Sequence, residues 1–315
     1  MPLDRRHAQA FALLGLVMIL WAGNSIVARA VRHDIAPFTL ALLRWTGASL
    51  VVAPFAIRPL MRDWPAIRKG WKPLLVLGLL GIGAFNALLY SGLQDTTATN
   101  ALLLQAATPA VMVLLDRVLF GVRSGAWQTV GVAASMLGVL VIVFAGDASA
   151  ALRLKFGQGD ALILVSVVVW SLYTVFLRLR PEISPTSFIA VTFFTGVAVM
   201  APLAVWEWHA GERIDWSPPI AAAVFYVALL PSLLSYFIYN HATAIVGPAR
   251  AGQAITLMPL FGAFLSAALL GERLHGFHFT GMAFILAGIA LSLLSRRGQE
   301  AAGAAADRSL SPTPM

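Results

Sequence analysis

Ten apolar runs separated by short polar links constrain this chain more than any other feature: 10–31, 36–57, 73–93, 97–119, 125–145, 158–178, 185–206, 219–241, 250–270 and 276–295. A run of about 20 residues spans a bilayer as a helix, whereas a barrel strand needs only about 10 alternating residues. Of the 315 residues, 59% are hydrophobic and 11% charged. A soluble domain carries roughly 25% charged residues, so this chain lacks the polar surface to face water. Backbone groups in lipid must bond internally. The expected fold class is therefore all-α, a polytopic membrane protein of ten transmembrane helices.

The run from Asn100 to Arg123 recurs from Arg250 to Arg273. Pro109 matches Pro259, Leu119 matches Leu269 and Gly121 matches Gly271, all at an offset of 150. The register carries on to Gly131 with Gly281 and Gly138 with Gly288. At an offset of 149, Trp21, Asn24 and Ser25 fall on Trp170, Tyr173 and Thr174, and Tyr90 falls on Tyr239. A shared proline and a glycine ladder in one register mark an internal duplication. The expected organisation is a five-helix repeat over 1–146, a second over 147–297, and a disordered tail over 298–315 rich in Ala, Ser and Pro.

Lys and Arg in the short links set the orientation. With a cytoplasmic N-terminus, the outer links hold Arg29, Arg32, Arg153, Lys155, Arg213 and Arg273, and fifteen of the 22 Lys and Arg fall inside. Both termini are thus expected in the cytoplasm, in a bacterial inner membrane. Five spans per repeat is an odd number, so the halves enter the bilayer in opposite directions. Such inverted repeats are typical of secondary transporters, with the substrate near the midplane between the halves. The net charge of +8 is spread over many links rather than gathered on one face, so no nucleic-acid partner is expected. The partners are the lipid bilayer and a small-molecule substrate.

The residues then resemble a known family. Trp21 with Asn24, Arg44-Trp45, the prolines Pro109 and Pro259, and the Gly271-Glu272 exit are similar to those of the drug/metabolite transporter superfamily, EamA type, over residues 10–296. Within it the chain looks most like the YddG-type exporters of aromatic amino acids. The resemblance implies ten spans and export of small organic solutes. One position departs from the pattern: Val122 stands where the second half has Glu272, and Glu272 is expected to cap the outer end of its own span.

Polar residues facing hydrocarbon are costly, so polar helix faces should point into the bundle. Trp21, Asn24 and Ser25 share one face of the first span, and Trp170 and Tyr173 one face of the sixth. Asn86, Gln105, Tyr236 and Gln253 complete the expected substrate-binding set. The alternative for each is a structural hydrogen bond between helices. Pro109 and Pro259 each free a backbone carbonyl four residues earlier, and are expected either as hinges of alternating access or as static kinks. The freed carbonyls of Gln105 and Ile255 are candidate partners for a substrate ammonium. Tyr90 and Tyr239 are read equally as cavity residues or as interfacial anchors. Arg44 is the one charge deep in a span. It is read two ways, as an attractor of carboxylates or as a side chain whose head snorkels to the interface or bonds to helix carbonyls. The paired glycines of spans five and ten are expected to pack against each other or against a second protomer of a homodimer.

There is no cysteine, hence no thiolate metal site, and no glycine-rich phosphate loop. No cofactor, metal or enzymatic activity is expected. Asp95, Asp116 and Glu207 lie near span ends, so no carboxylate stands ready to carry a proton at midspan. The expected function is secondary export of aromatic or other neutral amino acids by facilitated diffusion. The alternative is a multidrug, sugar-phosphate or nucleotide-sugar carrier of the same fold.

Overall fold

A computed structural model describes residues 5–121, 126–144, 146, 157–246, 254, 257–288 and 290–291. The described chain is helical. The first half holds α1 (Arg5–Ala30), α2 (Pro37–Lys69), α3 (Trp71–Gly78), a π turn (Leu79–Ala84), α4 (Phe85–Asp95), α5 (Ala98–Gln105), α6 (Thr108–Phe120) and α7 (Ala126–Val143). The second half holds α8 (Gln158–Phe176), α9 (Pro185–His209), α10 (Pro218–Ala228), a second π turn (Leu229–Leu234), α11 (Ser235–Val246), α12 (Met258–Leu270) and α13 (Gly276–Gly288). Six of these helical segments are long and apolar enough to cross a membrane, or seven if α5 and α6, bent by 43°, form one span. Thr129–Ile142, Met258–Leu270 and Gly276–Gly288 are shorter apolar helices.

Two departures from the sequence expectation concern prolines. The second span does not stop near residue 57 but continues as helix to Lys69, through Pro54, Pro59 and Pro65. The basic pair Arg68 and Lys69 in the last turn suits the negative end of the helix dipole. The other departure is at Pro109 and Pro259. Neither interrupts a continuous helix. Each stands in the first two positions of a new helix, α6 or α12, where a missing N–H costs nothing. Both of these helices then end on a left-handed glycine, Gly121 and Gly271, each at φ 65°. A side chain would be strained there, so the sequence-matched glycines are matched in conformation too.

The two π turns begin at Leu79 and Leu229 and end at Ala84 and Leu234, so they too lie 150 residues apart. Each inserts one residue into the helical ladder and frees a carbonyl to bond elsewhere.

The halves meet through pairs that exchange when first and second halves are swapped. Helix α4 packs on α8 as α1 packs on α11, and α6 packs on α8 as α1 packs on α12. The pair α2–α9 maps onto itself, and α5 packs on α12. Helices α2 and α9 run antiparallel, each capped by a carboxylate of the other. Glu207, near the end of α9, accepts from the Phe38 and Thr39 amides at 2.9 and 2.8 Å, and Asp63, near the end of α2, accepts from Ser184 N at 2.7 Å. The four N–H groups that start a helix have no partner within it, and here the neighbouring repeat supplies acceptors for them.

Helices α7 and α13 touch through their glycines. A Cβ on Gly138 would lie 2.5 Å from the Gly281 carbonyl oxygen, and one on Gly288 would lie 2.3 Å from that of Gly131. The ladder therefore faces across the two halves within one chain.

Candidate functional site

Arg44 lies on α2 and is buried, at 6% exposure. It does not snorkel. Its Nε donates to Ser232 Oγ at 2.7 Å, and its Nη1 donates to Asn24 Oδ1, Asn86 Oδ1 and Tyr90 OH at 3.0, 3.1 and 2.8 Å. These acceptors come from α1, α4 and the second π turn, so both halves hold the guanidinium. Each acceptor is itself oriented. Tyr90 OH donates to Asn24 Oδ1 at 2.8 Å, Asn86 Nδ2 donates to the Ile82 carbonyl at 2.8 Å, and Ser232 Oγ donates to the Val227 carbonyl at 2.8 Å. The last bond reaches back five residues, which the π turn permits. Among the described residues the ion pairs are Arg62–Asp63 and Arg178–Asp116, and no carboxylate neutralises Arg44.

A string of aromatic rings leads away from this cluster. The Arg44 guanidinium sits 4.5 Å from the Trp45 ring centroid. Trp45 meets Phe193 at 4.9 Å, Phe193 meets Tyr236 edge-on at 5.7 Å, and Tyr236 meets Trp21 at 6.2 Å. Trp21 continues to Tyr239 at 5.3 Å and donates its Nε1 to the Pro231 carbonyl at 2.9 Å, inside the second π turn. A second group joins Phe85, Trp170 and Tyr173, with centroids 4.8 and 5.0 Å apart. The Tyr173 ring fills the space over Gly81, in the first π turn, where a Cβ would come within 2.6 Å. Tyr236 is half-buried.

The structure thus gathers Trp21, Asn24, Asn86 and Tyr236 about one centre, with Trp170 and Tyr173 in the neighbouring aromatic group. Ser25 is buried on α1 beside Asn24. Gln105 stands apart from this network. Its Nε2 donates to the Ala101 carbonyl of its own helix at 3.2 Å, and its backbone carbonyl accepts from Thr108 Oγ1 at 2.5 Å. The carbonyl offered to a substrate ammonium is therefore already met, because the residue before the proline supplies the donor that the proline lacks. Gln253 and Ile255 lie outside the described residues. Tyr90, at 1% exposure, belongs to the buried network and is no interfacial anchor. Sequence reasoning left Arg44 and Tyr90 undecided and gave Ser232 no role. The signal present was a lone charge at midspan with amides and hydroxyls on three other segments.

Glu272 does not cap its own span. Its carboxylate accepts from the Ala98 and Thr99 amides at 2.9 and 3.0 Å and from Thr99 Oγ1 at 2.7 Å, closing the start of α5 in the other half. The reason is electrostatic: an anion suits the positive start of a helix and not the negative end that Glu272 follows. Nearby, Arg29 donates to the Leu93 and Gln94 carbonyls at 2.7 and 2.5 Å, and Thr96 Oγ1 donates to Asp160 Oδ1 at 2.5 Å. The opposite end carries the Arg178–Asp116 pair and the Asp63 cap.

A paired-repeat helical bundle enclosing a polar and aromatic centre is an architecture suited to moving a solute across a membrane. The chain belongs to the EamA-like transporter family, which matches it twice, over residues 9–144 and 157–294. It is 28% identical to an uncharacterized transporter of Archaeoglobus fulgidus, over 91% of this chain and 98% of that protein. It is 26% identical to a protein of Streptantibioticus cattleyicolor named a probable terminal-alkyne amino-acid exporter, over 92% and 94%. A solved crystal structure, 21% identical, superposes with a TM-score of 0.60 over 92% of this chain and 98% of that one, a likeness of fold. The protein is a membrane transporter of this family.

Proposed function

We propose that this transporter exports small organic solutes, with aromatic and other neutral amino acids as its leading substrates, by alternating access and down their gradient. In this reading all ten apolar segments cross the bacterial inner membrane as two inverted five-helix repeats, with both termini cytoplasmic. The three shorter apolar helices occupy the fifth, ninth and tenth positions, which accords with it. The observation that carries the substrate class is the pair of partly exposed rings Trp21 and Tyr236, continued inward by the buried Phe193 and Trp45, beside the Asn24 and Asn86 amides. Aromatic faces with a few amides accommodate a flat, partly apolar solute with a polar end. The relative named a probable terminal-alkyne amino-acid exporter supports the same class.

Flat cations also favour aromatic faces, but here the uncompensated Arg44 charge repels them. Counterflow of labelled phenylalanine, tryptophan and leucine in proteoliposomes tests the proposal, with viologen-like cations and sugar phosphates as competitors. Uptake competed by amino acids, without an imposed proton gradient, is the expected result. Competition by cations or sugar phosphates alone would overturn the substrate class, and dependence on a proton gradient would overturn the facilitated mode.

A further inference from the structure

We infer that Arg44 is an anion-binding subsite. A substrate carboxylate docks on its Nη2 while the apolar body lies along Tyr236 and Trp21, the partly exposed rings of the string, which the buried Trp45 and Phe193 back. This deepens the transport reading above and rests on it.

The arrangement of donors carries the argument. Three acceptors crowd onto Nη1 and one onto Nε, while Nη2 bonds to no described residue. Nor is Nη2 among the buried atoms left without a partner, so it keeps accessible surface within a side chain that is only 6% exposed. Guanidinium groups offer five donors in a rigid fork, and here one prong has no hydrogen-bond partner among the described residues.

Charge points the same way. Asn24, Asn86, Tyr90 and Ser232 solvate the guanidinium but are neutral, and no acidic side chain of the described residues pairs with it. A cation inside a membrane helix is costly and marks a functional position. If the arginine served only to tie helices together, its second terminal nitrogen would be satisfied as well. The charge instead remains uncancelled until an anion arrives. One arginine matches one carboxylate; a phosphate monoester, with nearly two charges, would find a single counter-charge. Because Ser232 belongs to the second half and the other three acceptors to the first, an anion held on Arg44 touches a group that both halves position.

The test uses purified full-length protein and four compounds that differ at one end: phenylalanine, phenylalaninamide, 3-phenylpropionate and phenethylamine. Affinity is read from the ligand-induced shift in unfolding temperature. Wild type is expected to prefer the two carboxylates over phenylalaninamide and phenethylamine by about 10- to 100-fold, as the loss of a charge-assisted hydrogen bond implies. Arg44→Gln should bring the acid-to-amide ratio to about one, and Arg44→Lys should weaken binding but keep the preference. A purely structural role would lower stability without changing that ratio. Should Arg44→Gln fail to fold, the wild-type ratio and that of Ser232→Ala, which frees Nε and the Val227 carbonyl but leaves Nη2 as it is and should keep the acid preference, still decide. Wild type that binds acid and amide alike overturns the inference, as does an Arg44→Gln ratio unchanged from wild type. Binding of 3-phenylpropionate without any amino acid keeps the subsite and removes the amino-acid class; amino-acid counterflow with no acid preference does the reverse.

Discussion

Replacing Glu272 by Gln should open the end of the bundle that Glu272 closes. The carboxylate now holds three donors of the opposite half, Ala98 N, Thr99 N and Thr99 Oγ1. A glutamine can keep its carbonyl on the Thr99 side, but its amide then faces the Ala98 N–H, donor against donor. One charge-assisted bond is lost, about 1.5 kcal/mol at this half-buried site, and the favourable charge at the start of α5 goes with it, about 0.5 kcal/mol. The sum, about 2 kcal/mol, shifts a closed-to-open equilibrium roughly thirtyfold. Because the chain has no cysteine, a single Ser25→Cys reporter can be read without background. Ser25 is five residues, about 7.5 Å of helix rise, from the end of α1, and is 2% exposed. Its labelling by a hydrophilic maleimide in purified protein should accelerate about 10- to 30-fold when Glu272→Gln is added. An unchanged labelling rate in a variant with wild-type elution volume would refute the reasoning, and Glu272 would then be a helix cap that takes no part in gating.

Two further outcomes are expected. Gly281→Leu would place atoms 2.5 Å from Ile142 Cγ1 and 2.8 Å from the Gly138 carbonyl, so α7 and α13 must part. A loss of more than about 2 kcal/mol is expected, seen as a lower unfolding temperature in detergent, and an unchanged one would show that these helices do not pack through their glycines. Tyr90→Phe removes the hydroxyl that accepts from Arg44 and donates to Asn24. It should cost about 1–3 kcal/mol of stability, because two buried groups lose a partner at once; a wild-type unfolding temperature would contradict that.

What the sequence revealed of this molecule was whatever depends on register. The duplicated proline and glycine positions and the Trp21–Asn24 face follow from fixed spacing and reappear in the structure, whereas six, or up to seven, of the ten apolar runs appear as helices long and apolar enough to cross a membrane among the described residues. Positions that depend on an irregularity were illegible. No residue type announces a π turn, yet the two turns re-aim whole faces: Ser232 and Ser235 bond carbonyls five residues back, which a regular period does not place. Arg44 was visible as a lone charge, but its acceptors come from three other segments whose juxtaposition is tertiary. Glu272 was assigned to the wrong helix because its partners lie 173 and 174 residues away. The stretch from Arg58 to Lys69 falls between two apolar runs, yet the helix continues through it. Prolines are tolerated in membrane helices when neighbours re-satisfy the freed carbonyls.

The exchanged caps of α2 and α9 have a consequence for how the protein is made. The amide of Phe38 waits for an acceptor 169 residues further along the chain, and the amide of Ser184 donates to Asp63, 121 positions behind it. A first repeat that has left the ribosome alone in the bilayer therefore carries an unfinished helix start at α2. The second repeat completes it only when Glu207 emerges, at the far end of α9. Neither repeat is a finished folding unit, and the order of synthesis makes the later one the fastener of the earlier.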